Sequence, residues 1–474
     1  MNRRRGADGS VIRRWDDLPR RVGLLAMFVV IVAAVRLAGL QFFRDGRTPD
    51  LGLERIVAWG SLTWIASVPT VVVGVVCWLL PRRGTVRHGN RVIAEAVSFR
   101  IVSRGQNADA LAETVAATRA AMAARPLFPY VIEVVTDQPV ALPTGADVVP
   151  IVVPPHYRTL TDARYKARAL QYALERSSLP PTGWIMHLDE ESHITPGVVG
   201  GIRDFIMACI ADGEPRVGQG CILYYRTLER NWLLTLADNL RTGDDVSRFY
   251  FQYRLATAAF GVHGSFILVR NDAEASVGFE FGAEGSITED AWWALSMLER
   301  GHRFGWVDGY VVEQAPSTVK DFVRQRRRWY SGLAKVALYA PAPWWARLVM
   351  MAFMATWTVS GLGVLYTCTN LVLGLRTPTA IAWLGAGCYA WYQTMYLVGL
   401  QLNLRHYPRP LPRWRRALYY VAQITLMPVF GALEGAGVLY ALARPERGFF
   451  VIRKPATGNT AVAGGLRGPA APPT

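Results

Sequence analysis

Cysteine is scarce and scattered in this sequence of 474 residues. The chain contains five cysteines, no two of them stand in a Cys-x-x-Cys pair, and three lie inside long apolar runs. This usage indicates neither a disulfide framework nor a zinc site. The five positions are Cys77, Cys209, Cys221, Cys368 and Cys388.

Acidic residues are also in the minority. Aspartate and glutamate number 36 against 52 lysines and arginines, so the formal net charge is +16. Such an excess suits an anionic partner: nucleic acid, a membrane face or a phosphorylated substrate. Much of the positive charge lies in the termini and beside apolar runs, where membrane topology explains it, and no nucleic-acid-binding module is present. We therefore expect no nucleic-acid partner, and a basic membrane-anchored protein without catalytic activity is the least favoured class.

Two apolar runs stand near the N-terminus, behind an arginine-rich segment at residues 1–21. The first, 22–43, is interrupted by Arg36, is longer than the core of a signal peptide and lacks a small-residue cleavage site. The second, 56–80, carries no charge. Both are long enough for a membrane helix. Because arginines flank the two outer ends, the positive-inside rule predicts that the N-terminus and the chain after residue 81 are cytoplasmic.

Long apolar runs return in the C-terminal part, after an interfacial segment rich in proline and tryptophan that starts at residue 341. They span residues 348–374, 379–402 and 417–441. Three crossings would leave the tail, 442–474, outside the cell, whereas its basic residues favour the inside. The run 417–441 contains Pro428 and Glu434, so it is either a simple crossing or a broken, re-entrant segment. We predict a multi-pass protein of the cell membrane, whose last 20 residues are disordered.

No run within residues 81–340 is long and apolar enough to cross a bilayer. Short apolar runs alternate there with helical patterns, and no internal repeat or low-complexity segment interrupts them. Strands are predicted at residues 92–102, 130–136, 147–153 and 184–188, and helices at 107–124 and 162–176. This alternation predicts an α/β domain built on a parallel, Rossmann-like sheet.

The last of these strands ends in three consecutive acids. From Trp184 to Ser192 the sequence is Trp-Ile-Met-His-Leu-Asp-Glu-Glu-Ser, so a buried strand delivers acidic side chains to its carboxyl end. Asp189 and Glu191 supply oxygen ligands, which suit Mg²⁺ or Mn²⁺ bridging a diphosphate. The alternative, an acidic loop that caps the next helix, has equal weight from the spacing alone.

Two further segments combine charge with helical spacing. Lys166 and Arg168, on the helix before the acidic strand, either face an anionic ligand or form a solvated helix face, and the solvated face is favoured when this segment is taken alone. Residues 286–290, Ser-Ile-Thr-Glu-Asp, open an apolar helix, where acids are ordinary capping chemistry. In the alternative interpretation, Asp290 is a general base that deprotonates a hydroxyl group.

Residues 325–329, Gln-Arg-Arg-Arg-Trp, stand just before the apolar runs return. They form either a juxtamembrane basic patch that attracts anionic lipid or a set of arginines that bind a diphosphate through their planar donors. In the second case the tryptophan forms one wall of a sugar-sized pocket.

Taken together, these segments resemble family 2 glycosyltransferases. Asp-Glu-Glu after a strand, Thr-Glu-Asp about 100 residues later and Gln-Arg-Arg-Arg-Trp about 35 residues after that follow the order of this family. Membrane helices on both sides complete the layout of cellulose, chitin and hyaluronan synthases. Residues 97–105, 187–191 and 288–290 are closer to Egghead-type β-1,4-mannosyltransferases. The resemblance covers residues 92–335 and implies a cytosolic GT-A domain, with a Rossmann-like, mostly parallel sheet, flanked by transmembrane helices.

The resemblance also implies a role for each matching residue. Asp290 corresponds to the catalytic base, in a motif that includes Glu289. Asp189 and Glu191 would bind Mg²⁺ or Mn²⁺, although the second acid of the family pattern is aspartate. The donor nucleotide-sugar would be held by Ser103, Arg104, Asp137, Lys166, Arg168, Asp189, Gln325, Arg328 and Trp329. The acceptor pocket would be lined by His263, Gly264, Ser265 and Trp329, although His263 on its own is more readily explained as a core histidine.

The implied reaction is a single displacement that inverts the anomeric centre and needs one carboxylate base, unlike the two of a glycosidase. The favoured interpretation is the transfer of one mannose from GDP-mannose to a lipid-linked sugar, such as a glucosyl lipid, at the cytoplasmic face of the membrane. The alternative is a processive β-polysaccharide synthase that uses a UDP-sugar, because the motifs occur in both types and a strand-end aspartate serves uridine or guanosine. An inactive transferase is not favoured, since every motif is present.

Overall fold

The structure is a computed structural model, and it describes residues 3–5, 11–13, 18–37, 52–80, 85–143, 145–373, 379–446 and 448. The strands are β1 (Arg3–Arg5), β2 (Val11–Arg13), β3 (Thr85–Arg87), β4 (Val97–Ser103), β5 (Tyr130–Thr136), β6 (Val148–Val152), β7 (Trp184–Asp189), β8 (His193–Ile194), β9 (Val217–Leu223), β10 (Ile267–Arg270) and β11 (Phe304–Val312). The helices are α1 (Leu18–Leu37), α2 (Gly52–Gly60), α3 (Val68–Leu79), α4 (Ala108–Ala124), α5 (Tyr165–Leu174), α6 (Pro196–Asp212), α7 (Trp232–Asp244), α8 (Tyr250–Arg254), α9 (Asn271–Val277), α10 (Gly282–Gly285), α11 (Glu289–Glu299), α12 (Val319–Tyr339), α13 (Trp344–Leu373), α14 (Thr379–His406) and α15 (Arg413–Ala443). A 3₁₀ segment, Ser61–Ser67, precedes α3, and a π-helical segment, Asp245–Phe249, joins α7 to α8.

Eight strands form one sheet in the order β6-β5-β4-β7-β10-β9-β11-β8. The first four are parallel, as the sequence predicts, with β4 between β5 and β7. Every residue of β4 is buried, because helices cover both faces of such a sheet and its strands are continuous apolar runs. The predicted strand 130–136 is β5 itself. The strand predicted at 92–102 begins later, at Val97, because its ladders with both neighbours start there.

The other half of the sheet is mixed rather than parallel throughout. Strand β10 lies antiparallel between β7 and β9, with Ile267 opposite His187, and β8 lies antiparallel to β11. Strands β9 and β11 are parallel to each other. Because β10 runs against β7, the loop that precedes Ile267 lies at the carboxyl end of β7, beside the acidic residues. The hydrophobic periodicity of the sequence does not indicate that β10 lies antiparallel between β7 and β9.

A buried ion network holds the parallel strands to helix α9. The guanidinium of Arg100, in the middle of β4, donates to Glu133 of β5 at 2.7 Å and to Glu274 of α9 at 2.6 Å. Nε2 of His187, on β7, lies 2.5 Å from the second oxygen of Glu274. All four side chains are buried, so each charge depends on the others for its stabilisation. This network lies directly under the strand that ends at Asp189.

Helices cover both faces of the sheet. On one face α4 and α6 bury apolar side chains, among them Leu111 and Ile202. On the other face α5 and α11 do so, through Leu170 and Trp293. Helix α12 follows β11 and packs against α13 and α15, which joins the sheet domain to the long C-terminal helices.

The long helices occupy the apolar runs that the sequence assigns to the membrane. Among the described residues, two stretches are long and apolar enough to cross a membrane by length and composition, Leu62–Leu79 and Arg413–Ala443. Helix α15 continues through Pro428, so the run 417–441 is one helix. The arrangement of five spans and the division of the chain into domains stay predictions. The predicted segments at residues 38–43 and 449–474 lie outside the described residues.

Candidate active site

A cavity of about 460 Å³ opens at the carboxyl ends of β4, β5 and β7 and continues between the long helices. Open α/β sheets bind their ligands at this edge. Of the site residues inferred from the sequence, only Arg168 does not line this cavity. The others do: Ser103, Arg104, Asp137, Lys166, Asp189, Glu191, His263, Gly264, Ser265, Glu289, Asp290, Gln325, Arg328 and Trp329. The fold therefore gathers segments from widely separated parts of the chain.

Lys166 stands at the centre of the polar part of the cavity. Its Nζ donates to Oδ1 of Asp189 at 2.5 Å and to the carbonyl oxygen of Gly264 at 2.8 Å, and it lies 3.7 Å from Oε1 of Glu289. Burial opposes the charge on this lysine, but the carboxylates of Asp189 and Glu289 outweigh it and raise the pKa of Lys166. The lysine is therefore a fixed cation between the strand-end acid and helix α11, and not part of a solvated helix face.

Glu289 and Asp290 form the first turn of α11 at the cavity wall. Glu289 is buried and Asp290 is half-buried, while Thr288 at the N-cap makes no capping hydrogen bond through its side chain. Burial, with repulsion from Asp290, raises the pKa of Glu289 to about 7. Burial also raises the pKa of Asp290, against the opposing effect of Lys166. A carboxylate whose pKa is closer to neutrality is a better proton acceptor at physiological pH.

The loop before β10 lies against Asp290. A methyl group placed on Gly264 would stand 3.1 Å from Oδ2 of Asp290 and 3.3 Å from Nζ of Lys166, so glycine leaves the space beside the carboxylate open. His263 is half-buried at the cavity wall, with its Nε2 2.5 Å from Oδ1 of Asp245. It is therefore not a plain core histidine.

Another side of the cavity is built at the ends of β4 and β5. Oδ1 of Asp137 accepts from Arg168 at 2.8 Å, and its Oδ2 lies 3.9 Å from Nε of Arg104. Arg168 also donates to the carbonyl oxygens of Pro154 and Tyr157, each at 3.1 Å. Arg168 therefore supports Asp137 from behind, which explains why it does not line the cavity.

The middle acid of the Asp-Glu-Glu run has a structural role. This residue is Glu190, and its carboxylate accepts hydrogen bonds from Oγ of Ser103 and from Nδ2 of Asn107, the second at 2.5 Å. Its carbonyl oxygen accepts from Oγ1 of Thr114 at 2.7 Å. These bonds fasten the loop after β4 to the end of β7.

The outer two acids of that run are the candidates for a metal site. Asp189 and Glu191 both line the cavity, and the carbonyl oxygen of Glu191 accepts from Arg226 at 2.6 Å, which holds the loop. In the part of the chain that the structure describes, no group of three or more His, Cys, Asp or Glu is arranged around a common metal position. Two carboxylates nevertheless fit Mg²⁺ or Mn²⁺, because such ions keep water ligands and take others from substrate phosphates.

Helix α12 carries the Gln-Arg-Arg-Arg-Trp segment along the cavity. Gln325, Arg328 and Trp329 line it. Burial lowers the pKa of Arg328, and the carboxylates of Glu289 and Asp290 oppose that shift. The guanidinium of Arg328 therefore shares the electrostatic environment of the two acids on α11.

Arg326, in the same segment, is a buried clamp. Only 1% of this arginine is exposed. It donates to Asp238 of α7 at 2.5 Å and to Glu434 of α15 at 2.7 Å. The ion pair explains why an acid occurs within the apolar run 417–441. The segment is thus not a juxtamembrane basic patch, since the first of its three arginines is committed to the protein interior.

Glu313 and Arg241 are among the polar residues of the cavity that the sequence patterns did not indicate. Glu313 follows β11 and is buried; burial raises its pKa, with a further contribution from Asp189. An apolar strand followed by an acid is the same signal that pointed to Asp189. Arg241, on α7, lies between the rings of Tyr224 and Trp329, 4.5 and 4.6 Å from their centroids. No pattern in the sequence of α7 indicates that placement.

Comparisons with known proteins point to one family. Residues 184–400 match the family described as Glycosyl transferase family group 2. The β-1,4-mannosyltransferase egh of Drosophila melanogaster is 31% identical over 372 residues, which cover 78% of this chain and 80% of that protein. The β-1,4-mannosyltransferase bre-3 of Caenorhabditis elegans is 31% identical over 373 residues, which cover 77% and 79%. A solved structure of mannosyltransferase PcManGT from Pyrobaculum calidifontis in complex with GDP-Man and Mn²⁺ has a TM-score of 0.47 at 12% identity, covering 83% of this chain and 100% of that one.

Proposed function

Because the chain belongs to glycosyltransferase family 2, we propose that it transfers one mannose from GDP-mannose, in β-linkage, to a lipid-linked sugar such as a glucosyl lipid. The names of the relatives support mannose as the sugar and a β-1,4 linkage. One observation carries the mechanism. Nζ of Lys166 bridges Asp189, on the donor side, and Glu289, which precedes Asp290 on α11, so that both halves of the reaction would share one cavity.

In this proposal Asp290 is the general base. It takes the proton from the acceptor hydroxyl while that oxygen attacks C1 of mannose on the face opposite the diphosphate. The new C1–O bond forms as the bond to the phosphate oxygen breaks, which inverts the anomeric centre. The half-buried position of Asp290 at the cavity wall and the open space beside Gly264 support this residue over Glu289, whose buried carboxylate lies 3.7 Å from Nζ of Lys166.

The leaving diphosphate needs positive charge, because negative charge accumulates on its oxygen as the bond breaks. Arg328 would bind the phosphate oxygens through its planar donors. Arg104 and Asp137, at the ends of β4 and β5, would hold the nucleoside. A divalent ion bound by Asp189 and Glu191 would supply a Lewis acid at the diphosphate.

The acceptor would enter from the side of the long helices. Trp329 offers an aromatic surface for the sugar, and beyond it the cavity is lined by residues of α13, α14 and α15, among them Trp357, Tyr392 and Met427. A lipid tail would lie among these side chains while its sugar reaches Asp290. This arrangement supports a lipid-linked acceptor over a soluble one.

The test is a transfer assay with the purified full-length protein in detergent. The protein is incubated with Mg²⁺ or Mn²⁺ and a glucosyl lipid, with GDP-mannose or UDP-glucose in parallel, and the lipid product is weighed by mass spectrometry. We expect a mass increase of one hexose with GDP-mannose only. A ladder of hexoses, or activity restricted to the uridine donor, would assign a polysaccharide synthase instead.

A further inference from the structure

The cavity contains a second polar feature, away from the acids of α11. Arg248 lies in the π-helical segment, lines the cavity and is only 6% exposed. Its Nε donates to one carboxylate oxygen of Asp244 at 3.0 Å, and one terminal nitrogen donates to the other oxygen. The remaining terminal nitrogen is buried, and among the described residues it has no hydrogen-bond partner. A charged donor left unsatisfied in the interior is costly, so a ligand atom that accepts its hydrogen bond would be bound favourably.

Aromatic rings surround this guanidinium. Its central carbon lies 5.0 Å from the ring centroids of Phe249 and Phe260 and 4.0 Å from that of Phe353, on helix α13. The rings line the same cavity and stabilise the cation through their faces. Apart from Asp244, the immediate surroundings of Arg248 are therefore apolar.

The feature lies between the sugar end and the helical end of the cavity. The ring of Phe249 is 4.5 Å from that of His263, beside the candidate base. Gly264 is four positions after Phe260 in the chain, so their Cα atoms are at most about 14 Å apart. Phe353 belongs to α13, whose next turn contributes Trp357 to the cavity. A glycolipid whose sugar reaches Asp290 would thus place the start of its lipid part near Arg248.

We propose that Arg248, with Phe249, Phe260 and Phe353, forms a subsite for an acyl carbonyl oxygen, ester or amide, close to the glycosidic linkage of the lipid acceptor. The inference rests on the proposed function, which places the acceptor sugar at Trp329. Asp244 already neutralises the guanidinium, so the subsite suits a neutral oxygen rather than a phosphate. An N–H of the remaining terminal nitrogen donates to the carbonyl oxygen, and the rings contact the first methylene groups.

The experiment compares three glucosyl lipids of equal chain length. One carries ester-linked acyl chains, one carries an amide-linked chain and the third, with ether-linked alkyl chains, has no carbonyl group. The full-length protein in detergent is assayed with GDP-mannose and Mg²⁺, and kcat/KM is measured for each lipid. We expect the ether lipid to be used at least ~10-fold less well than a carbonyl lipid, the loss expected of one hydrogen bond to a charged donor. The faster of the two carbonyl lipids identifies the linkage.

Variants separate recognition from folding. Arg248→Lys keeps a cation beside Asp244 but loses the planar set of guanidinium N–H donors. The preference for carbonyl lipids should therefore disappear while the ether lipid is still used. The double variant Asp244→Asn/Arg248→Gln removes both charges together and should also lose the preference. Arg254→Lys, on the neighbouring helix α8 and outside the cavity wall, is the matched control and should keep it.

Two outcomes would overturn the subsite: a wild-type protein that does not discriminate among the lipids, or an Arg248→Lys variant that loses all three activities in equal proportion. Dissociation constants for the same lipids, measured without donor, distinguish failure of the subsite from failure of the proposed function. Equal dissociation constants overturn the subsite whether or not transfer occurs. A preference in binding without transfer from GDP-mannose supports the subsite and contradicts the proposed reaction.

Discussion

Nζ of Lys166 lies 2.5 Å from Oδ1 of Asp189, although one residue stands on α5 and the other ends β7. The same nitrogen lies 3.7 Å from Glu289. A buried lysine is stable only beside negative charge, and here it has two carboxylates. The two contacts make the end of β7 and the start of α11 one electrostatic unit, so removal of either acid changes the electrostatic environment of the other.

Replacement of the candidate base tests the reaction mechanism. Asp290→Asn keeps the shape of the side chain but cannot accept a proton, so we expect kcat to fall by roughly 10²–10⁴-fold. Donor affinity should change little, because the amide leaves the nucleotide side intact. Turnover and the binding of GDP-mannose are measured on the same preparation, with Asp212→Asn, an exposed acid at the end of α6, as control. Near-normal turnover of Asp290→Asn would exclude it as the base.

The pH dependence of transfer follows from the pKa of Asp290. The base acts in its ionised form, so kcat/KM falls as the pH drops through this pKa, and burial places the fall above the ordinary range of an aspartate. Lys166 opposes that rise. In Lys166→Met the pKa should therefore increase, and the acidic limb of the pH profile should move to higher pH. An unshifted limb would contradict the coupling; Lys320→Met, at an exposed position, serves as control.

The metal prediction concerns the end of β7. Asp189→Ala removes one of the two carboxylates assigned to Mg²⁺ or Mn²⁺, and we expect donor affinity measured with the metal present to fall by about 10-fold or more. Addition of a chelator should weaken donor binding to the wild type and have little further effect on the variant. Calorimetry with GDP-mannose provides the measurement. A chelator effect of equal size in both proteins would argue against Asp189 as a ligand.

The buried clamp at Arg326 predicts a loss of stability. Arg326→Met leaves Asp238, which is fully buried, without its partner, and breaking a buried pair in this way costs about 3–5 kcal/mol. Arg327→Met is the matched control, because that arginine pairs with Glu446 nearer the surface, where an ion pair contributes only about 0–1 kcal/mol. The thermal unfolding midpoints of the two variants give the comparison. Equal midpoints would show that the clamp is not important for stability.

Much of the parallel half of the fold is predictable from the sequence. Buried parallel strands are continuous apolar runs, and their carboxyl ends are marked where the run stops, as at Ser103, Asp137 and Asp189. Short motifs at those ends, with residues 288–290 and 325–329, indicated several of the acidic and basic residues that line the cavity. The position of strand β5 follows in the same way, because its hydrophobic run is bounded on both sides.

What the sequence by itself determined is therefore the local structure and the chemical character of the site: α/β alternation, acids at strand ends, and a family of hexosyltransferases. Only the tertiary structure decided which charges face the ligand and which are internal. Glu190 and Arg326 stand inside the two charged segments that the sequence singled out, and the structure shows that they hold the loop after β4 and helix α15 in place. The physical reason is that an ion pair depends on the distance between groups far apart in the chain, and such distances arise only when the antiparallel strand β10 and the long helices are packed.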